Sequence, residues 1–593
     1  MSRVIGFDFG TTNSLISIVE GARCIPILDA GNSLPHPSVL CYQGDQIIVG
    51  RKAKERLSTS GIGVIGNIVR SPKSLLGKNK EFVEGVARSP KEMVAEIVRF
   101  VKADAQLQQP GDYDSAVVTI PVDMNGPRRK DLREAFHMAG INIVQFIHEP
   151  LAALYGHLRS KENFQEELQR LNRELVLVFD WGGGTLDLTL CQIVDGMLVQ
   201  ILNDGCSNVG GDVLDEIIRN EIVQRCLKSR NVESELPIQA DAKQRLLDRA
   251  ERAKIELSNK ENAVVFVSDY FQTDKYDVDI EYSLGRQEME SIVNEKIDIG
   301  IQRIHSLFEK AGISSASIAL CLATGGIVSM PIIKSRLREI FGPQRLNVSE
   351  RGNTIISEGA AWIAHDKANL TLAKNVELLV ARNSYFPIIK AGVKMPREGK
   401  VQRTEQLSLY CTDPRDGVAK FQIMAPIKPG RNIQKTDPRD TLNSLSIMVD
   451  NKAQPFFERL ELQINIDENL ILNACAMSSI KRDEDRVEIH NLEFGLDLPL
   501  THGFSNKYEA IDINGISGGH NHGSVSLRSN ITPPDVKSDS LVPGELLYES
   551  NPFYFDTRHI IPEIQTLEKL YYQPCSICGR SSNHSDCHCA SAL

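Results

Sequence analysis

Two stretches of the chain share one hydrophobic pattern. Val4 to Phe9 is an apolar run interrupted by Gly6 and Asp8, and the small polar turn Gly10-Thr11-Thr12-Asn13-Ser14 then leads into a second apolar run at Leu15. Far downstream, Val176 to Trp181 ends in the same way at Asp180, and Gly182-Gly183-Gly184-Thr185 precedes Leu186-Asp187-Leu188. Short apolar runs bounded by glycine read as buried strands joined by a tight connection. Two β-hairpins of one design are therefore predicted, each with an Asp at the end of its first strand.

Between and after them the pattern alternates between strand and helix. Ile47-Ile48-Val49-Gly50 leads into a Lys/Arg-bearing helix, residues 91 to 109 form an amphipathic helix, and Asp114 to Pro121 is an apolar strand ending at proline. Arg128 to Gly140 has apolar positions at helical spacing and stops at glycine, as helices commonly do. Phe146 to Tyr155 reads as a strand passing into a helix, Lys161 to Glu174 as an exposed charged helix or loop, and Asn208 to Asp215 as a glycine turn opening a helix. In the helix from Ala242 to Ser258, Leu246, Ala250, Ala253 and Leu257 make a buried stripe, while Glu251, Lys254 and Ser258 share another face. From about residue 385 to 500 the period falls to two, most clearly in Leu407 to Cys411, Ser444 to Val449 and Leu460 to Asp467, which reads as a β-sandwich-like unit. Beyond Pro499 the Gly, His, Asn and Pro content suits a flexible linker, and Pro562 to Tyr572 reads as one short amphipathic helix.

Bulk composition narrows the classes of function. A chain of 593 residues exceeds what one core usually supports, so several domains are expected, and 41% hydrophobic with 24% charged residues is ordinary for globular proteins. A formal net charge of −10, without a long Lys/Arg stripe, argues against nucleic acid as a partner. Met1-Ser2-Arg3 runs into the first strand with no apolar leader, and no stretch reaches membrane-spanning length, so a cytoplasmic location with no membrane partner is expected. Of 12 cysteines, Cys24, Cys41, Cys191, Cys206, Cys226, Cys321, Cys411 and Cys475 are scattered, as suits buried thiols in a reducing compartment.

The candidate chemistry sits at the turns and at the C-terminus. Glycines let backbone N–H groups converge on an anion, threonine hydroxyls add donors, and an Asp at each turn can hold a hydrated magnesium ion, so two such hairpins can clamp one polyphosphate. At the other end, Cys575, Cys578, Cys587 and Cys589 lie close to His584, which suits a tetrahedral zinc site. Redox-active or unstructured thiols are the other reading of that cluster, and the ligand set is either four Cys or three Cys with His584. His520 and His522, in a Gly/Asn-rich loop, read as solvated.

The D-x-G-T-T-N of Asp8 to Asn13 and the D-x-G-G-G-T-x-D of Asp180 to Asp187 together resemble the phosphate hairpins of the actin, sugar kinase and heat-shock chaperone superfamily. The N-terminal wording resembles the seventy-kilodalton heat-shock protein family. That resemblance implies an α/β actin-like ATPase domain, duplicated and two-lobed, over 1–372, with an interdomain linker at 373–384 that includes Val376 to Ala381. It further implies a β-sandwich substrate-binding-like domain over 385–500, then a flexible linker over 501–561 and a short helix with a Cys-rich tail over 562–593.

Site residues follow from the same resemblance. ATP or ADP would lie on Gly10, Thr11, Thr12, Asn13, Gly182, Gly183, Gly184, Gly210 and Gly211, with Mg²⁺ held through water by Asp8 and Asp180. Lys73, in Ser71-Pro72-Lys73-Ser74-Leu75-Leu76-Gly77, matches the family's catalytic lysine, and Thr185 and Asp187 would help it position the attacking water. Glu251, Lys254 and Ser258 would reach ribose and adenine, with Gly325 and Gly326 on the opposite wall, while Pro121, Arg129 and Glu149 would sense nucleotide state and relay it. The function implied is an ATP-dependent molecular chaperone in protein folding and stress response, whose hydrolysis controls polypeptide binding with a J-domain co-chaperone and a nucleotide-exchange factor as partners. The alternatives are a nucleotide-switched adapter for one dedicated protein and a small-molecule kinase of the same superfamily.

The chain also departs from the family pattern. Ser329 stands where an arginine would stack on adenine, Asn353 and Thr354 replace an acidic pair, and no Lys/Glu-rich helical lid follows Pro499. Asn469 is expected in the left-handed position that glycine would hold in the last hairpin. Ile388, Ile389 and Val393 are either residues of the loops that arch over a bound peptide or core.

Overall fold

The computed structural model describes residues 4–59, 67–83, 85–194, 196–230, 238, 242–271, 279–380, 384–397, 403–430, 433–499 and 560–562. The chain divides into two compact units, with the divisions falling between Asn369 and Leu370 and again between Gly495 and Leu496.

The first unit is a mixed α/β structure built twice on one plan. In its first sheet the order is Arg23–Ile27, Asn13–Glu20, Val4–Phe9, Ser115–Ile120, Asn142–His148, with the short His36–Pro37 added to the second of these strands. In the other sheet the corresponding order is Met197–Cys206, Leu186–Val194, Leu175–Trp181, Ile318–Thr324, Leu346–Val348. Both have antiparallel pairs on the hairpin side of the central strand and parallel pairs on the other side. The parallel side needs helical crossovers, which cover the sheet faces and explain why the central strands, apart from Asp8 and Asp180 near their ends, do not alternate apolar with polar. Leu175–Trp181 is buried at every position.

Each fifth strand feeds a helix, and the two helices, Glu149–Arg159 and Ile355–Asp366, cross at glycines. A Cβ on Gly359 would stand 1.8 Å from the carbonyl oxygen of Ala152, and one on Gly156 would stand 2.6 Å from that of Ile355. The helix predicted from Ala242 is observed as Ala242–Leu257, with the expected stripe of Leu246, Ala250, Ala253 and Leu257 buried. The charged segment after Lys161 contains a short helix, Phe164–Arg170.

The second unit holds two antiparallel sheets, ordered Ser384–Ile389, Val376–Val380, Val418–Pro426, Arg439–Met448 and Glu484–Ile489, Leu472–Ser478, Arg459–Ile466, Arg403–Cys411, Ile560–Pro562. Alternation is clearest in Arg459–Ile466, where Leu460, Leu462, Ile464 and Ile466 are fully buried.

Three expectations change here. The segment expected as an interdomain linker contains instead the strand Val376–Val380, buried at all five positions and paired with strands on both sides. Its polar member, Glu377, is satisfied by Arg439 at 3.0 Å, which lets an apolar run with one carboxylate sit inside a sheet. The left-handed residue of the hairpin joining Arg459–Ile466 to Leu472–Ser478 is Leu470, φ 60°, rather than Asn469. The reason is the Asp467 carboxylate, whose Oδ1 accepts from the N–H groups of both Asn469 and Ile471 and sets the turn one residue later. Ile388 and Ile389 are buried in a strand and belong to the core, with Val393 half-buried after it.

Residues 501–559, the rest of the tail beyond Pro562 and the cysteines 575, 578, 587 and 589 lie outside the described residues, as does Ala381. Of the predicted helix from Pro562 to Tyr572, only Pro562 is described, at the end of a strand. Of the eight scattered cysteines six are buried, and Cys24 and Cys475 are half-buried. No helix among the described residues is long and apolar enough to cross a membrane.

Candidate functional site

The two hairpin turns face each other. A Cβ on Gly183 would stand 2.0 Å from Thr12 Oγ1, and one on Gly184 would stand 2.5 Å from Thr11 Oγ1. Only glycine permits this approach, and the surrounding cavity of about 120 Å³ is lined by Gly10, Thr11, Thr12 and Asn13 from one turn and Gly182, Gly183, Gly184 and Thr185 from the other. Asp8, Asp180, Lys73, Glu149 and Pro121 complete its charged end, and Gly325, Gly326, Gly352 and Asn353 another wall. Gly325 is held at φ 90° against the backbone of Trp181, where a Cβ would meet the carbonyl oxygen at 2.3 Å.

Each strand-end Asp is oriented by a threonine on the neighbouring parallel strand. Thr119 Oγ1 donates to Asp8 at 2.7 Å, and Thr324 Oγ1 donates to Asp180 at 2.9 Å. Asp187 stands directly across the hairpin from Asp180, and accepts from Thr185 Oγ1 at 2.7 Å and from the Val122 N–H at 3.0 Å. Lys73, on the short 3₁₀ turn Pro72–Leu75, donates to Glu149 Oε1 at 2.9 Å, and both are buried.

Asp8, Asp180, Asp187 and Glu149 thus gather with the one ammonium of Lys73 away from water, and the proton affinities of the three aspartates rise accordingly. Burial, then Glu149, pushes Asp8 up to about 6 against the pull of Lys73. The same two causes push Asp187 up to about 7, opposed by Thr185, the Val122 N–H and Lys73. Asp180 is raised well above the usual carboxylate range by burial, Glu149 and Asp187. Such a cluster is short of positive charge. Among the described residues no group of three or more His, Cys, Asp or Glu is arranged to hold a metal ion directly. The Thr12 hydroxyl oxygen is buried beside Gly183 without a hydrogen-bond partner in the chain.

The other sequence-predicted residues lie around this cavity without lining it. Gly210 precedes the helix Gly211–Ser229, and the N–H groups of Gly211 and Asp212 donate to the carbonyls of Gly182 and Gly183. Lys254 reaches the Gly211 carbonyl at 3.1 Å and Asp215 at 2.7 Å. Glu251 accepts from Lys54 and Arg70, each at 2.6 Å, and the Ser258 hydroxyl bonds back to its own helix at Lys254. Ser329 caps its own 3₁₀ turn through the Gly326 carbonyl. Arg129 is fully buried, with Nε on the Met124 carbonyl at 2.6 Å, two residues past the Val122 N–H that holds Asp187.

A family model described as Hsp70 protein matches residues 4–84 and 67–494. The chain belongs to the Hsp70 family. Among curated Hsp70 relatives, the chaperone protein DnaK of Deinococcus proteolyticus is 27% identical over 527 residues, covering 83% of this chain and 79% of its own. The DnaK of Mycoplasmoides gallisepticum is 27% identical over 503 residues, 82% and 80% of the two chains. That of Mycoplasma mycoides subsp. mycoides is 29% identical over 360 residues, 60% and 58%.

Sequence reading of this Hsp70 missed Thr119, Thr324 and the Val122 N–H. The available signal was a threonine closing an apolar strand just before a proline or glycine turn, in the strand that parallels each Asp-bearing one.

Proposed function

We propose that this chain is an Hsp70-type chaperone, with ATP bound between the two hairpins of a two-lobed, actin-like first unit and polypeptide bound by the β-rich second unit. The observation that carries the ATPase part is the facing pair of glycine turns with a buried, unpartnered Thr12 hydroxyl and a carboxylate cluster deficient in positive charge. Mg²⁺, held through water by Asp8 and Asp180, would supply that charge and neutralise the phosphates. The N–H groups and hydroxyls of Gly10 to Asn13 and Gly182 to Thr185 bind and orient the phosphates, with Gly210 and Gly211 behind them. Lys73, held by Glu149, faces the γ-phosphate end, where Thr185 and Asp187 help it place the attacking water, since positioning and electrostatics dominate phosphoryl transfer. Glu251, Lys254, Ser258, Gly325 and Gly326 form the nucleoside side, and Pro121, Arg129 and Glu149 couple the site to the rest of the unit.

The relatives' name, chaperone protein DnaK, supports a client polypeptide as partner; a J-domain co-chaperone and a nucleotide-exchange factor are the further partners that the family resemblance implies. Single-turnover hydrolysis of ATP by Lys73→Ala tests the assignment. A rate reduced by about 10²–10³ with nucleotide still bound supports it, and an unchanged rate removes Lys73 from the chemistry.

A further inference from the structure

Two elements flank the cleft beside the phosphate turns, the helix Ala242–Leu257 and the 3₁₀ turn Gly326–Ser329. They converge at Gly211. A Cβ there would stand 2.8 Å from Ile327 Cδ1 on the turn, 3.1 Å from Lys254 Nζ on the helix and 3.3 Å from the Cα of Gly183. A nucleoside carried by phosphates between the hairpins would lie between these two elements.

The polar side chains placed on that nucleoside side already have partners within the chain. Glu251 accepts from Lys54 with Oε1 and from Arg70 with Oε2, each at 2.6 Å, and its side chain is only 6% exposed. Lys254 is engaged by Asp215 at 2.7 Å and by the Gly211 carbonyl at 3.1 Å. Ser258 and Ser329 each donate their hydroxyl proton to a backbone carbonyl, of Lys254 at 3.3 Å and of Gly326 at 2.6 Å. Recruiting any of them for a sugar or a base exchanges one hydrogen bond for another, and for Glu251 and Lys254 it disturbs a charge-assisted pair shielded from water, so little net affinity follows.

The same helix face carries an exposed apolar side chain. Ile255 lies four residues after Glu251 and three before Ser258, which puts it beside both, and it is 57% exposed. An isoleucine packs against the flat face of a ring and does not read the ring's edge, where bases differ. Discrimination by factors of about 10⁴–10⁵ needs hydrogen bonds to the groups that differ, which apolar contact cannot supply. Buried donors that do lack a partner in the chain, Thr12 Oγ1 on the first phosphate turn and Arg70 Nη1 beside Glu251, suit an anion.

We propose that this cleft selects its ligand by the triphosphate and leaves the base unread, so that it takes purine nucleoside triphosphates in general, GTP as well as ATP, with the base resting on Ile255. The proposal rests on the reading of the first unit as a nucleotide-binding unit.

Calorimetric titration of the full chain, in magnesium, with ATP, GTP and inorganic tripolyphosphate tests it. GTP should bind within about threefold of ATP, and tripolyphosphate within about tenfold. Ile255→Ser, at an exposed position where the fold is not at stake, should weaken ATP and GTP alike by about three- to tenfold and leave tripolyphosphate unchanged. Thr12→Val should weaken all three. ATP bound more than tenfold more tightly than GTP overturns the proposal and leaves ATP binding standing. So does an Ile255→Ser protein that loses affinity for ATP but not for GTP. Binding of none of the three ligands by the parent chain removes the nucleotide-binding reading itself, and this proposal with it.

Discussion

Lys73 and Glu149 form an ion pair from which water is nearly excluded, with side-chain exposures of 2% and 10%. Pairs of this kind contribute little net stability, and removing one partner leaves an uncompensated buried charge. Lys73→Ala should therefore slow hydrolysis and also lower the melting temperature, whereas Lys73→Met, which keeps the stem and removes the charge, separates bulk from charge in the same two assays. Titration of Asp187 offers a second test. Its folded value of about 7 lies above the unfolded 3.8, so the folded state binds the extra proton between those values and loses stability as pH rises from about 4 through about 7. Asp187→Asn removes that dependence. Thermal melts at pH 5 and pH 8, without nucleotide, should show Asp187→Asn gaining on the parent at the higher pH. A difference between variant and parent that is the same at both pH values would remove burial and Glu149 as the causes of the raised affinity. His157, which burial pushes down to about 4, gives the parent curve an opposite slope, which is why the variant difference is the quantity to read.

The element that organises the first unit is the hairpin, used twice. Gly183→Ala would place a Cβ 2.0 Å from Thr12 Oγ1 and 3.2 Å from Thr12 Cβ, so the two turns must separate. Calorimetric ATP affinity should weaken by about tenfold or more, with secondary structure unchanged; full affinity would mean that the turns do not jointly grip the phosphates. Gly359→Ala acts at the helix crossing between the repeats, where the obstacle is the backbone oxygen of Ala152, and should destabilise the fold by more than the about 1–3 kcal/mol of an ordinary overpacked core site, read as a lowered melting temperature.

These elements also show what was readable in the chain. Both hairpins, the helix Ala242–Leu257 and the strand-to-helix step at Glu149 announce themselves locally, through glycine, proline and hydrophobic period. The strand Val376–Val380 does not, because an apolar run reads the same as a linker or as a buried strand, and the charge that balances its Glu377 comes from Arg439, 62 residues on. Thr119 and Thr324 were legible only as threonines near the ends of apolar strands, since their roles depend on the register of parallel strands joined by long crossovers. At the hairpin joining Arg459–Ile466 to Leu472–Ser478, the Asx turn of Asp467 outweighed the intrinsic preference of Asn469 for the left-handed region, and Leu470 bears the conformational cost with its side chain fully buried.

At the scale of the whole molecule, the account joins two units of different construction: an α/β unit whose duplicated sheets frame a charged cavity, and a unit of antiparallel sheets with one edge taken by the tail. A small-molecule kinase has no use for the second unit, and a dedicated adapter has no need to bind unrelated peptides. The central claim is that nucleotide in the first unit sets polypeptide affinity in the second. It is tested most directly by the anisotropy of fluorescent unfolded peptides added to the full chain with ADP, and then with ATP and magnesium. Binding that weakens by a factor within the usual coupling range, about 5–150, when ATP replaces ADP is the expected result. The same affinity in both nucleotide states would contradict it.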